Sequence, residues 1–122
     1  MNFHTLSARD IAAQIKSGAA SSLEVTKYFI GRIEKHNEAL NAVIATCFDA
    51  ALEDAARADE AVKNGTALGA LHGVPMTIKD AFEIDGLTCD VGHTAWAERI
   101  SDSNAVVVER LRAAGAIMLG KT

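Results

Sequence analysis

The sequence predicts an α/β fold: a helical N-terminal leader, followed by alternating strands and helices of a mixed sheet. Two observations lead to this. Capping signatures and apolar stripes at helical spacing fill the first half, and brief apolar runs of strand length then alternate with helical segments. A third concerns punctuation: Gly69, Gly73, Gly86 and Gly92, with the sole proline Pro75, break up the middle of the chain. The length of 122 residues is that of one ordinary domain, and 49% hydrophobic with 23% charged residues is globular composition rather than disorder.

Taken in order, Ser7 and Asp10 have the form of a capping box, and Leu6 with Ile11 is spaced as a hydrophobic staple. Ile11 and Ile15 share the face of a first helix that Gly18 ends. A second box, Ser21 with Glu24, opens a longer helix with Leu23, Ile30 and Ile33 on one side and Phe29 beside them. The run from Ala42 to Ala45 reads as a short buried strand. An alanine-rich helix is expected over about 48–63, with Leu52, Ala55, Ala58 and Val62 on one stripe, Glu53 and Arg57 four apart, and a stop at Asn64-Gly65. In the stretch from Val74 to Lys79, apolar Val74, Met76 and Ile78 alternate with Pro75, Thr77 and Lys79, the pattern of a strand. Pro75 suits the start or edge of a sheet, not its centre. A loop-rich stretch is expected from about 80 to 102. Asp102 or Ser103 is then placed to cap a helix with Val107, Leu111 and Ala114 on one face. Gly115 ends that helix, and Ile117-Met118-Leu119 returns as a strand. The chain stops at Lys121-Thr122, directly after this strand, so the expectation is a fragment of something longer.

Several function classes are set aside by composition. Twelve Lys/Arg against sixteen Asp/Glu give a net charge of −4, which is no footprint for nucleic acid. No uncharged apolar run approaches the roughly 18 residues of a membrane span, and Asp10 and Lys16 interrupt any signal-like start. Cys47 and Cys89 are too few for a disulfide scaffold and read as reduced thiols of a cytoplasmic protein. Cys89 and His93, with Cys47 and His72, lack the tight ligand pairs of a zinc site, and nothing in their spacing orients a Cys–His nucleophile. Ser7, Ser21 and Ser103 are accounted for as caps. Residues 115–122 satisfy the phosphate-loop pattern G-x-x-x-x-G-K-[ST], but such a loop needs a strand before it and a helix after it, whereas here a helix precedes and the spacer is strand-like.

Lys79 stands out. It follows Thr77-Ile78 in a half-apolar strand and precedes Ala81-Phe82. A lysine held among apolar groups loses hydration, its pKa falls, and the neutral amine can act as a general base toward a hydroxyl. Asp80 would oppose that shift if its carboxylate pointed at the amine.

Leu71-His-Gly-Val-Pro-Met-Thr-Ile-Lys79-Asp80, then Gly86-Leu-Thr88, then the stretch from Asn104 to Thr122 resemble the N-terminal part of the amidase signature family, and Ala56-Arg57-Ala58-Asp59 resembles its leader. The likeness covers nearly the whole chain. It also accounts for the phosphate-loop match, because the family carries a G-A-x-x-x-G-K-T segment as a strand end. The resemblance implies that residues 1–122 are the N-terminal part of a single, incomplete amidase domain. It further implies a Ser–cis-Ser–Lys hydrolase that cleaves carboxamides and needs no metal or organic cofactor. Lys79 matches the family's catalytic lysine; both serines and the oxyanion loop belong to a Gly/Ser-rich region beyond these residues. A small-molecule amide is the implied partner, with no nucleic acid or membrane, and homo-oligomerisation is left open. Some relatives instead transfer ammonia to charged transfer RNA. Where the family continues past Gly86 with small residues, this chain has Cys89-Asp90-Val91-Gly92-His93, a departure that bears on substrate range. Nucleotide binding at 115–122 and a non-catalytic interaction module remain the alternatives from other classes.

Overall fold

In the computed structural model, which describes residues 2–122, seven regular elements follow one another. They are α1 (Ala8–Ser17), α2 (Ser22–Leu40), β1 (Ala45–Thr46), α3 (Phe48–Lys63), β2 (Pro75–Ile78), α4 (Val106–Ala113) and β3 (Ile117–Lys121). The predicted mixed α/β architecture is what forms. β3 is the middle strand of three, antiparallel to β1 and parallel to β2, and α4 makes the crossover between the parallel pair.

The serine half of each expected capping box forms. Ser7 Oγ accepts from the Asp10 amide and Ser21 Oγ from the Glu24 amide. Gly18, at φ 75°, closes α1 through the left-handed turn that glycine adopts freely. One cap comes from far away in sequence: the Asp59 carboxylate of α3 accepts from the amides of Ser22 and Leu23 at 2.6 and 3.0 Å. That places an anion at the positive end of α2 and locks the two helices together.

β3 organises the core by simple alternation. Ile117 and Leu119 pack with Ile30, Ala51 and Ala55 of α2 and α3, whereas Ala116 and Met118 pack with Ile78, Ile84 and Val108 on the opposite side. All five β3 residues are buried. A third cluster, built on Phe3, Ile11, Ile15 and Val25, joins the leader helices to Val74 at the entrance to β2.

Two expectations shift. The strand expected over 42–45 begins only at Ala45, and Ile44 is 52% exposed. The cause is Asn37. Its Oδ1 accepts from the amides of Ala42 and Val43 and its Nδ2 donates to the Val43 carbonyl, so it occupies the groups a strand would pair. In the second case, neither Asp102 nor Ser103 caps α4, which starts after Ala105. Asn104 instead bridges the turn below, accepting from the Asp85 amide and donating to Glu109, while the Ala105 amide reaches the Glu83 carbonyl. The buried side of α4 is accordingly set by Val108 and Leu111, and Val107 is 40% exposed. Pro75 stands at the first position of β2, which pairs with β3 alone, as its missing N–H requires.

Gly120 lies opposite Thr46, and a β-carbon there would sit 2.0 Å from the Ala45 carbonyl oxygen with φ at 150°. Gly120→Ala therefore has to push β1 off β3. A loss of about 1–3 kcal/mol in urea-unfolding stability is expected from overpacking. Unchanged stability contradicts this description of the β1–β3 contact.

Candidate active site

The site is built where β2 and β3 end side by side. Beyond Ile78, which is buried, the chain keeps the alternation of a strand: Lys79 points out and Asp80 points in. The backbone is pinned there by β3, with the Thr122 amide donating to the Ile78 carbonyl and the Asp80 amide donating to the Thr122 carbonyl at 2.8 Å. Lys79 is exposed, and none of the ion pairs among the described residues includes it.

The lysine shut away from water is Lys121, at 0% exposure, next to Asp80 at 7%. Its ammonium lies 3.1 Å from Asp80 Oδ1 and donates to the Thr88 carbonyl at 3.1 Å. Oδ1 meets this ammonium off the line of a good hydrogen bond and has no other partner, so the contact is chiefly one of charge. Oδ2 accepts from the Val91 amide at 2.7 Å, and the Asp80 carbonyl accepts from the Cys89 thiol. Burial alone pushes the Asp80 carboxyl upward. The Lys121 ammonium, with the Val91 and Asp90 amides, outweighs burial and holds it below the usual aspartate range.

The other residues singled out from sequence are kept apart. Cys47 donates to the Met118 carbonyl, and burial pushes its thiol up, against the pull of the Arg112 charge, so it is no thiolate nucleophile. His72 bonds the Ala58 carbonyl through Nε2, Cys89 faces Asp80, and His93 sits in the open beside Trp96. No group of three or more metal-ligating side chains gathers among the described residues. Residues 115–122 form a turn and a strand, and the lysine of the phosphate-loop pattern already has its ammonium occupied by Asp80. Sequence reasoning passed over Lys121 once that pattern was set aside. The signal was there: a charged residue closely follows the apolar run from Ile117 to Leu119.

Removing one partner of such a pair strands the other charge in the interior. Lys121→Met is expected to lower stability by about 3–5 kcal/mol, and adding Asp80→Asn to restore most of the loss. Denaturant unfolding of the two variants measures it, and losses that simply add contradict the pairing. The folded-state pKa of Asp80 lies below its unfolded value. The pair's contribution is therefore complete above the ordinary aspartate range and disappears as pH falls through the folded value.

A family model described as Amidase matches residues 24–122. The chain is 41% identical over 121 residues to an acylamidase of Rhodococcus erythropolis, covering 99% of this chain and 25% of that protein. It is 38% identical over 117 residues to a component of the glutamyl-tRNA(Gln) amidotransferase of Streptomyces coelicolor, covering 96% and 24%. Its fold superposes on native peptide amidase from Stenotrophomonas maltophilia with a TM-score of 0.90 at 32% identity, over 99% of this chain and 25% of that one. The chain thus spans about a quarter of the length of these relatives. With the family model covering most of its residues, the chain belongs to the Amidase family.

Proposed function

We propose that the protein carrying this chain hydrolyses carboxamides, with Lys79 as the proton acceptor of a Ser–cis-Ser–Lys triad. The observation that carries the reading is the direction of Asp80. Its carboxylate faces Lys121, which leaves the adjacent Lys79 exposed and outside the ion pairs among the described residues. Likeness to an acylamidase and a peptide amidase supports the substrate class. A neutral Lys79 takes a proton, through a bridging serine, from the nucleophilic serine, whose oxygen then forms a bond to the amide carbonyl carbon. The proton passes on to the leaving amine as the carbon–nitrogen bond breaks, and water then releases the acid from the acyl-enzyme. Backbone N–H groups of a Gly-rich loop would bind the oxyanion. Both serines and that loop are assigned to sequence beyond residue 122. The two free thiols fit a reducing, cytoplasmic location.

A second reading, as part of an amidotransferase, is favoured by the 38% identity to the Streptomyces coelicolor protein. Ammonia release from simple carboxamides by the full-length protein alone, with no transfer RNA present, decides for hydrolysis. In that assay Lys79→Ala is expected to lower turnover by about 100-fold or more while the protein remains folded. Undiminished turnover removes Lys79 from the mechanism.

A further inference from the structure

Lys121 is the lysine of the phosphate-loop pattern, and amide hydrolysis as proposed gives it no task. Lysine is almost never fully buried unless paired. Here the pairing is elaborate. One ammonium from the end of β3 meets Asp80, just past β2, and the Thr88 carbonyl in the following loop. The other oxygen of Asp80 holds the Val91 amide, with Val91 at φ 48°. A β-branched residue in the left-handed region is strained by about 1–3 kcal/mol and stays there only because its surroundings hold it.

For stability alone, well-packed apolar side chains serve as well as a buried ion pair or better. With an aspartate at position 80, however, the partner at 121 decides where a carboxylate bonded in sequence to Lys79 points. An aspartate left unpaired at position 80 is an anion tethered one residue from the amine, and an opposite charge within reach stabilises the ammonium.

We propose that Lys121 is a positioning residue for Lys79. It holds the Asp80 carboxylate inward, which fixes the backbone turn that presents Lys79 and withholds the adjacent anion from its amine. The inference rests on the reading of Lys79 as proton acceptor. Three titratable side chains of the neighbouring loop have partners of their own. Cys89 donates to the Asp80 carbonyl at 2.9 Å, Asp90 Oδ1 accepts from the Gly92 amide at 2.7 Å, and Glu83 is held by Arg99. Ile78 of β2 and Val108 of α4, packed around the same end of the sheet, bring no charge.

The test is the pH dependence of kcat/KM for a simple carboxamide, using the full-length protein. Lys121→Met, and Lys121→Gln, which keeps a donor for Thr88, both release the Asp80 charge. Each is expected to move the acid limb to higher pH by about one unit. Adding Asp80→Asn to either is expected to return the limb to its original position, which a purely structural loss would not do. An acid limb that stays in place in a folded single variant overturns the proposal. If neither single variant folds, NMR of the Asp80 carboxyl carbon in the unaltered protein decides. Ionisation that persists below the ordinary aspartate value of about 3.9 is expected, and titration at or above it shows that Lys121 does not hold the carboxylate and overturns the proposal. The two readings fail separately. A Lys79→Ala protein with full turnover defeats the proton-acceptor role, whereas an inactive Lys79→Ala together with unmoved limbs in the pair variants defeats only the role of Lys121.

Discussion

The buried ion pair between Asp80 and Lys121 is the contact on which the geometry around Lys79 depends. It ties together three segments, the exit of β2, the end of β3 and the loop carrying Thr88 and Val91, of which the first two are also joined by backbone hydrogen bonds. A lone ammonium or carboxylate in that interior would carry a desolvation cost of several kcal/mol. Each is tolerable only while the other is in place. The pair thus couples the register of β2 on β3 to the path of the loop.

Everything that brings β3 to this position follows from ordinary packing. Its alternating side chains are gripped from both sides, by α2 and α3 on one face and by α4 with Ile78 and Ile84 on the other. Gly120 lets β1 approach within the space a side chain would fill. At the far end of the leader, Asp59 capping α2 and Ser22 donating to the Gly73 carbonyl tie the helices to the segment that becomes β2. The direction of Lys79 is then a consequence of strand alternation: with Ile78 and Asp80 turned inward, the residue between them faces out.

Much of this was legible in the residues. Ser7, Ser21 and the alanine-rich segment ending at Asn64-Gly65 specify their helices locally, because caps and apolar stripes act within a few residues. The alternation around Pro75 and the apolar run from Ile117 likewise located β2 and β3. The departures all involve a side chain reaching beyond its own segment. Asn37 takes the backbone groups of Ala42 and Val43, and Asn104 displaces the expected cap of α4. Asp80 finds a partner 41 residues further on instead of the lysine beside it. No pattern of spacing encodes a contact of that range. Lys79 was singled out because it sits at the end of a half-apolar strand, but among these residues the buried lysine is Lys121 and Lys79 is exposed.

The most direct measurement is an NMR titration of the Asp80 side-chain carboxyl carbon in the folded protein, followed to acid pH. A carboxylate committed to Lys121 and the Val91 amide should stay ionised well below the ordinary aspartate value of about 3.9. A midpoint at or above that value would show that burial prevails over pairing, and that the carboxylate is not held as described.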